Sequence, residues 1–379
     1  MSPLADTYSV RYEALCKEIA ASTFDALLVT HLPNLAYLTG LRSSAGAALV
    51  ATSATRLIVD SRYLTVAKGL TESHPSLQSV EVILVGQSYD EEIYRELVKL
   101  GVARVGIEAA HFTVQRWDWL VKRLDGTGVT LVPVEGVVEN LRLLKDKDEV
   151  ERFRTAAARL VGAVGPALRA VRSGRSEREI AADVEMELAS AGFDDRAFPT
   201  IVASGPNSAL PHAQPSRRCV EQSDLVLVDF GGIYEGYHVD ISRTICVGDP
   251  TDEARRLHEA VLSAQTAAIE TVRPGVPASD VDSAARLTLA RYGLAEAFGH
   301  STGHGLGLEI HEAPRIGRVG EPGADVVLEE GMVFTIEPGV YVPGVGGVRI
   351  EDDVVVTPDG CDVLTAAAPR RLAADSDST

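Results

Sequence analysis

Twice in the second half of this 379-residue chain the same punctuation recurs. Val171-Arg172-Ser173-Gly174 closes one helical pattern, Val272-Arg273-Pro274-Gly275 closes another, and a capped helix follows each. In the first copy Ser176 and Glu179 form a capping box ahead of Ile180, Val184 and Leu188. In the second, Ser279 and Asp282 stand in a looser version ahead of Val281 and Ala285. Gly192 and Gly293 are natural helix stops. Strand patterns with glycine turns come after each helix pair. A chain that reads helix, helix, strands and then the same again is constrained to two like halves. Residues at similar offsets then meet about a pseudo-twofold axis.

The residues ahead of this repeat follow a different rule. Ala26–Thr30, Ala47–Ala51, Leu57–Asp60, Val80–Val85 and Val129–Val134 read as short strands, and Tyr8–Ala21, Asp90–Leu100 and Thr113–Leu124 as helices. The alternation predicts an α/β domain with a mixed sheet over residues 1–143. Charges at Lys145, Asp146, Lys147, Asp148 and Glu149 read as a solvated boundary leading into a helix that carries Val150, Phe153, Leu160, Val161, Val164 and Leu168. Gly165-Pro166 should kink that helix or end it early. The expected architecture is α+β with two domains, 1–143 and 144–368, followed by a polar tail, 369–379, frayed from Arg370 onward.

Charge and cysteine usage remove several classes of function. Acidic residues number 54 against 36 basic, a formal net charge of −18 that repels nucleic acid and anionic membranes. Lys17, Glu18 and Asp25 interrupt any apolar leader, and no apolar run reaches the roughly 18 residues of a membrane span. Cys16, Cys219, Cys246 and Cys361 are scattered and form no C-x-x-C pair. The expectation is a cytoplasmic protein with reduced thiols.

The acids of the repeat carry the chemistry. Leu225-Val226-Leu227-Val228 runs into Asp229, Gly231-Gly232 reads as the turn, and the chain returns through Asp240. Met332-Val333-Phe334-Thr335-Ile336 runs into Glu337, and a later strand carries Arg349 and Glu351, two residues apart and so on one face. An acid at the end of such an apolar strand is expensive to bury alone. His304, flanked by Gly303 and Gly305, His311 and His212 all lie in or near glycine-rich turns. Four carboxylates (Asp229, Asp240, Glu337 and Glu351) gathered with the His304 imidazole would raise one another's pKa, and two divalent cations would cancel that charge. Oxygen-rich ligation with one imidazole suits Mn²⁺, Co²⁺, Fe²⁺ or Zn²⁺. Two such ions roughly 3.5–4 Å apart can share a nucleophilic hydroxide. The residues alone lead to metal-assisted hydrolysis.

The segments V-D-F-G-G-I-Y-E-G-Y-H-V-D-I-S-R-T, G-H-S-T-G-H-G-L-G-L-E-I-H-E-A-P, T-I-E-P-G-V-Y and V-R-I-E-D-D resemble, in order, the "pita-bread" metallopeptidases of the M24 type. They are most similar to the proline branch, Xaa-Pro dipeptidase (prolidase) and Xaa-Pro aminopeptidase. The stretch before them, with N-L-A-Y-L-T-G and V-D-S-R-Y, resembles the domain that precedes this catalytic fold. The resemblance implies a pseudo-twofold catalytic domain in which Asp229 chelates one metal, Asp240 and Glu351 bridge two, and His304 and Glu337 complete the shells. It implies substrate contacts and proton movement at His212 and His311, a substrate-side role for His300, and Arg349 as the arginine that marks the proline branch. It further implies Mn²⁺ as the usual metal, a bridging hydroxide as nucleophile and Glu337 as its proton acceptor. The expected substrate is a small peptide with proline at its second position. The expected assembly is a homodimer whose N-terminal domain gates the partner's active site.

Other readings of the same fold differ at particular residues. A methionine aminopeptidase shares the five ligands, but Arg349-x-Glu351 and Glu337-Pro338-Gly339-x-Tyr341 favour the proline branch. A creatinase-type hydrolase or a non-catalytic binding protein does not need all five ligand positions filled. Dipeptidase and aminopeptidase differ in loops and dimer contacts, and the length of this chain favours the dipeptidase.

Overall fold

Apolar runs in the first part of the chain assemble into one mixed sheet. The computed structural model describes residues 7–372, and its two compact units divide between Arg142 and Leu143. The first unit contains β1 (Ala26–Val29), β2 (Ala47–Ala51), β3 (Ala54–Val59), β4 (Val80–Leu84), β5 (Arg104–Glu108) and β6 (Thr130–Val134) in the order β4-β3-β2-β1-β5-β6. The pairs β1–β2 and β2–β3 are antiparallel, whereas β3–β4, β1–β5 and β5–β6 are parallel. Leu28, Leu49, Ile58, Ile93, Leu97 and Leu120 bury one face of this sheet under its helices. Strand β5 is absent from the sequence-based reading because Gly106 breaks its apolar pattern. Packing explains that glycine, since a Cβ there would lie 3.0 Å from the Phe24 ring and 3.2 Å from Leu27.

The second unit carries the order read from the repeat. Helices Lys147–Arg169 and Glu177–Ser190 precede β7 (Asp195–Arg196), β8 (Ile201–Ser204), β9 (Leu225–Tyr234) and β10 (Tyr237–Cys246), which form one sheet. Helices Asp252–Thr271 and Ala278–Arg291 precede β11 (Gly303–Gly305), β12 (Glu312–Ile316), β13 (Val333–Ile336), β14 (Gly339–Val342), β15 (Gly346–Arg349), β16 (Asp352–Thr357) and β17 (Gly360–Val363). A five-stranded sheet runs β12-β11-β13-β16-β17, and β14 pairs with β15 in a two-stranded one. Two apolar clusters, one around Phe153, Leu160, Val228 and Ile241 and one around Leu257, Val261, Phe334 and Ile336, bury the helix pairs against the strands.

Several local expectations are corrected. The first long helix does not stop at Gly165-Pro166. It continues to Arg169, because Val164 and Ala167 are fully buried and hold the last turn. Ser279 and Asp282 do not cap. Pro277 is the N-cap, and Asp282 lies buried inside the helix, accepting bonds from Arg286 and Thr302. The charges at residues 145–149 are not all solvated either. Lys145 is buried on Glu312 at 2.8 Å, and Glu149 is buried under the Tyr237 hydroxyl at 2.7 Å. Nor does the chain fray at Arg370, whose Nε donates to Asp352 at 2.8 Å, while the Leu372 carbonyl accepts from the Cys246 amide. The rest of the expected tail lies outside the described residues.

Gly231-Gly232 is not the turn of its hairpin. Strand β9 runs through both to Tyr234, and the reversal is made by Glu235 and Gly236, with φ of +49° and +86°. Two positive φ values in a two-residue loop are what the twist of a tight hairpin requires. The earlier glycines are there for space: a Cβ on Gly232 would meet the Phe193 ring at 2.4 Å, and one on Gly231 would meet the Val239 carbonyl at 2.3 Å. Among the described residues no helix is long and apolar enough to cross a membrane.

Candidate active site

Strands and connecting segments of the second unit converge on a cavity of ≈ 620 Å³. Asp229 comes from the middle of β9 and Asp240 from β10, where Asp240 pairs with Gly231. His304 is the central residue of β11, and Glu337 follows the end of β13. Arg349 ends β15. Glu351 lies just beyond it, so the two do not share a regular strand face, yet both line the cavity with Asp229, Asp240, His304 and Glu337. The glycines beside His304 act as close-approach points. A Cβ on Gly303 would lie 1.9 Å from the Thr335 carbonyl, and one on Gly305 would lie 2.2 Å from that of Ala313.

The floor of the cavity is a cluster of acids around one imidazole. One donor atom each from Asp240, His304 and Glu351 lie within 4.8 Å of one another. His304 Nε2 stands 3.5 Å from Glu337 Oε1 and 3.9 Å from Asp240 Oδ2. Asp229 is held by the Arg349 guanidinium through its Oδ2. Its Oδ1, together with Asp240 Oδ1 and Glu351 Oε1, is buried without a hydrogen-bond donor. Buried carboxylate oxygens with no donor are costly. Three of them beside one imidazole form a donor set that a divalent cation satisfies.

Electrostatics point the same way. Burial, then the charges of Glu351, Asp229, Asp353 and Glu337, push Asp240 well above the usual carboxylate range. Burial and the charges of Glu337 and Asp229 do the same to Glu351, against the pull of Arg349. Burial lifts Glu337 to about 8, with Arg349 opposing. Burial drops His304 to about 3, assisted by His311. The imidazole is therefore neutral, as a metal ligand must be, and the acids resist ionising together unless a cation joins them.

The remaining histidines separate into two kinds. His212 and His311 are exposed on the cavity wall, the His311 ring standing edge-on 4.2 Å from that of His304. His300 is drawn into a polar chain. Arg349 Nη1 donates to the Tyr341 hydroxyl at 2.7 Å, and that hydroxyl lies 2.9 Å from His300 Nε2. His300 Nδ1 faces the Ser301 carbonyl at 2.8 Å. With arginine donating to Tyr341, the tyrosine proton goes to Nε2 and Nδ1 carries the ring's own hydrogen. Burial, then the Arg349 charge, lowers His300 to about 4, consistent with that neutral tautomer.

Three contributors were not read from the sequence as site residues. Tyr341 links Arg349 to His300. Arg315, on β12, lines the cavity wall, as does Glu312. Asp353 Oδ2 accepts the Asp240 amide from behind the cluster at 3.1 Å. Asp353 lies two residues past Glu351, an acid already assigned, and Arg315 lies in a polar stretch without a pattern, so neither stood out.

Residues 151–358 match the model of metallopeptidase family M24, and residues 11–144 match the creatinase/prolidase N-terminal domain. The chain belongs to metallopeptidase family M24. An Xaa-Pro dipeptidase of Pyrococcus horikoshii is 36% identical over 363 residues, 95% of this chain and 98% of that protein. An Xaa-Pro dipeptidase from Bacillus anthracis superposes with a TM-score of 0.90 at 34% identity, covering 97% and 99% of the two chains. An X-Pro aminopeptidase from Thermotoga maritima gives 0.83 at 33%, covering 94% and 99%. As an M24 metallopeptidase with a creatinase-type N-terminal domain, the chain is an enzyme that works with divalent metal ions.

Proposed function

We propose that this M24 enzyme is an Xaa-Pro dipeptidase whose metal ligands are Asp229, Asp240, His304, Glu337 and Glu351. The observation that carries the reading is the cluster itself, with three donor-starved carboxylate oxygens and a neutral imidazole under a peptide-sized cavity. The similarity to named Xaa-Pro dipeptidases over nearly the whole chain supports the substrate class.

These five residues would hold divalent cations, which when bound would supply Lewis-acid polarisation of the scissile carbonyl and acidification of water. The protein supplies the rest. Glu337 takes the proton of the attacking water on its carboxylate and passes it toward the proline nitrogen as that leaves. His212 and His311 offer imidazole donors to the carbonyl oxygen as negative charge develops. Arg349 orients Asp229 through the guanidinium contact, and the Tyr341–His300 chain fixes Arg349 in turn. Phe198, Ile201, Pro211 and Ile310 give the wall the apolar surface that a proline ring needs. Arg315 lines the cavity, and its ion pair among the described residues is a loose one to Glu321 at 3.4 Å, so it suits the free carboxylate of a dipeptide.

The reading extends to Mn²⁺ as the native metal, a homodimer gated by the N-terminal domain, and a cytoplasmic enzyme with four free thiols. The oxygen-rich donor set supports the metal. Light scattering and elemental analysis of the purified protein test the assembly and the ion.

Proline release from Ala-Pro and from Ala-Pro-Ala, with Mn²⁺ and then with EDTA, tests the substrate. Metal-dependent cleavage of Ala-Pro alone is expected, and cleavage of the tripeptide after its first residue would make the enzyme an aminopeptidase. Arg315→Ala is expected to raise KM for Ala-Pro about tenfold or more, the scale of a lost charge-assisted hydrogen bond. An unchanged KM would remove Arg315 from carboxylate recognition. His311→Ala is expected to lower kcat about 10²-fold with metal content retained. If kcat barely moves, His311 is structural.

A further inference from the structure

His212 stands on an irregular loop between β8 and β9 that supplies Pro211, His212, Ala213, Gln214 and Pro215 to the cavity wall. The ring is exposed, so the loop backbone sets where it stands. Irregular backbone holds a position only where something fastens it.

The fastening comes from Glu177, which does not line the cavity. Glu177 is the first residue of the helix Glu177–Ser190, and it is completely buried. Its Oε1 accepts from the Ser204 amide at 2.8 Å and the Ser204 hydroxyl at 2.7 Å. Its Oε2 accepts from the Ser216 amide at 2.9 Å and the Ser216 hydroxyl at 2.7 Å. The Asn207 amide spans both oxygens, at 3.0 and 3.2 Å. One carboxylate thus grips both ends of the stretch that carries His212. Its own amide donates to the Arg218 carbonyl, which ties the gripping helix to the segment just beyond the loop. Burial works against the Glu177 charge, but the donors of Ser216 and Ser204 outweigh it and hold the carboxyl below its usual range.

The far side of the loop is fastened to the strand that bears Arg349. Ser208 Oγ accepts the Gly347 amide at 2.9 Å, and Arg349 Nη1 donates to the Pro211 carbonyl at 3.1 Å. A Cβ at Gly347 would come within 2.0 Å of the Ser208 carbonyl.

We propose that Glu177 is a positioning residue for hydrolysis: it clasps residues 204–216 at both ends and so sets His212 against the substrate carbonyl. The proposal rests on the Xaa-Pro dipeptidase reading for the role of His212. A glutamine at 177 keeps the size but turns an NH₂ toward donors, so one end of the clasp opens. A displacement of about 1 Å at a substrate-contacting group costs up to about 10²-fold.

The test compares wild type, Glu177→Gln, His212→Ala and the double variant, with Mn²⁺ and Ala-Pro. Glu177→Gln is expected to lower kcat/KM about 10- to 10²-fold with metal content unchanged. In the His212→Ala background it is expected to cost nothing more, because the group it positions is gone. Hydrogen exchange of peptides covering residues 203–217 is expected to speed up in Glu177→Gln. Equal losses in both backgrounds, or unchanged exchange, overturn the proposal. Should Glu177→Gln fail to fold, Ser216→Ala, which removes one hydroxyl from the clasp, is read in the same cycle with a smaller loss expected. If the wild type leaves Ala-Pro intact, the function reading falls, while the exchange measurement still decides the clasp.

Discussion

Glu351→Ala is expected to abolish proline release from Ala-Pro and to lose bound metal together, a drop in kcat/KM of about 10⁴-fold or more. Glu351 sits within 4.8 Å of donor atoms from both Asp240 and His304, and one of its own oxygens has no protein donor. Its removal takes a charge from the centre of the donor set. The same change carries a second expectation of opposite sign. In the metal-free protein Glu351 and Glu337 repel, and both raise Asp240. The metal-free variant is therefore expected to be at least as stable as the metal-free wild type, while the wild type alone gains stability on adding Mn²⁺. Elemental analysis and thermal melts with and without EDTA check both halves. A variant that keeps its metal and its activity would remove Glu351 from the ligand set.

The second large effect is the pH dependence of stability in the metal-free protein. A carboxyl whose folded pKa lies above its unfolded value contributes stability below the unfolded value and loses it as pH rises through the folded one. Glu337, lifted to about 8, keeps a proton in the folded protein that the unfolded chain has already lost by pH 6.5. His304 and His300 act in the other direction. Their folded values of about 3 and about 4 lie below the unfolded one near 6.5, so their stabilising effect is lost only as pH falls below that point. Only the last part of the histidine contribution falls above pH 6.5, so the acids dominate the window from pH 6.5 to pH 8. One retained proton is worth about 2 kcal/mol across it, or roughly 4–8 °C in Tm for a unit of this size. The EDTA-treated protein is expected to melt lower at pH 8 than at pH 6.5, and the Mn²⁺-loaded protein to show a much smaller drop. A chelated protein whose Tm holds or rises over this window would show that the cluster does not hold its protons as the geometry implies.

Much of this molecule was legible before its structure. The repeat of helix pairs followed by strands is written in Val-Arg-x-Gly punctuation and a capping box, which act through local backbone chemistry. The five proposed ligands stood out because each acid ends or returns from an apolar strand and His304 lies between glycines. Burying unpaired charge is costly enough that such a pattern does not arise from solubility alone. Where local signals and packing disagreed, packing won. Gly231-Gly232 looked like a turn but makes room for Phe193, while Glu235-Gly236 turns the chain. Pro166 looked like a helix stop, but buried neighbours carry the helix past it.

What the amino-acid order determined by itself was therefore the repeat of helix pairs and strands and the residue types that can hold cations. Tertiary structure alone decided which polar groups meet. The chain from Asp229 through Arg349 and Tyr341 to His300, the approach of Arg315 to the cavity, and the grip of Glu177 on both ends of the His212 loop all join residues far apart in sequence. Such contacts leave no periodicity to read. Each forms because a buried polar group must find a partner, and which partner it finds depends on how the strands bring distant backbone together.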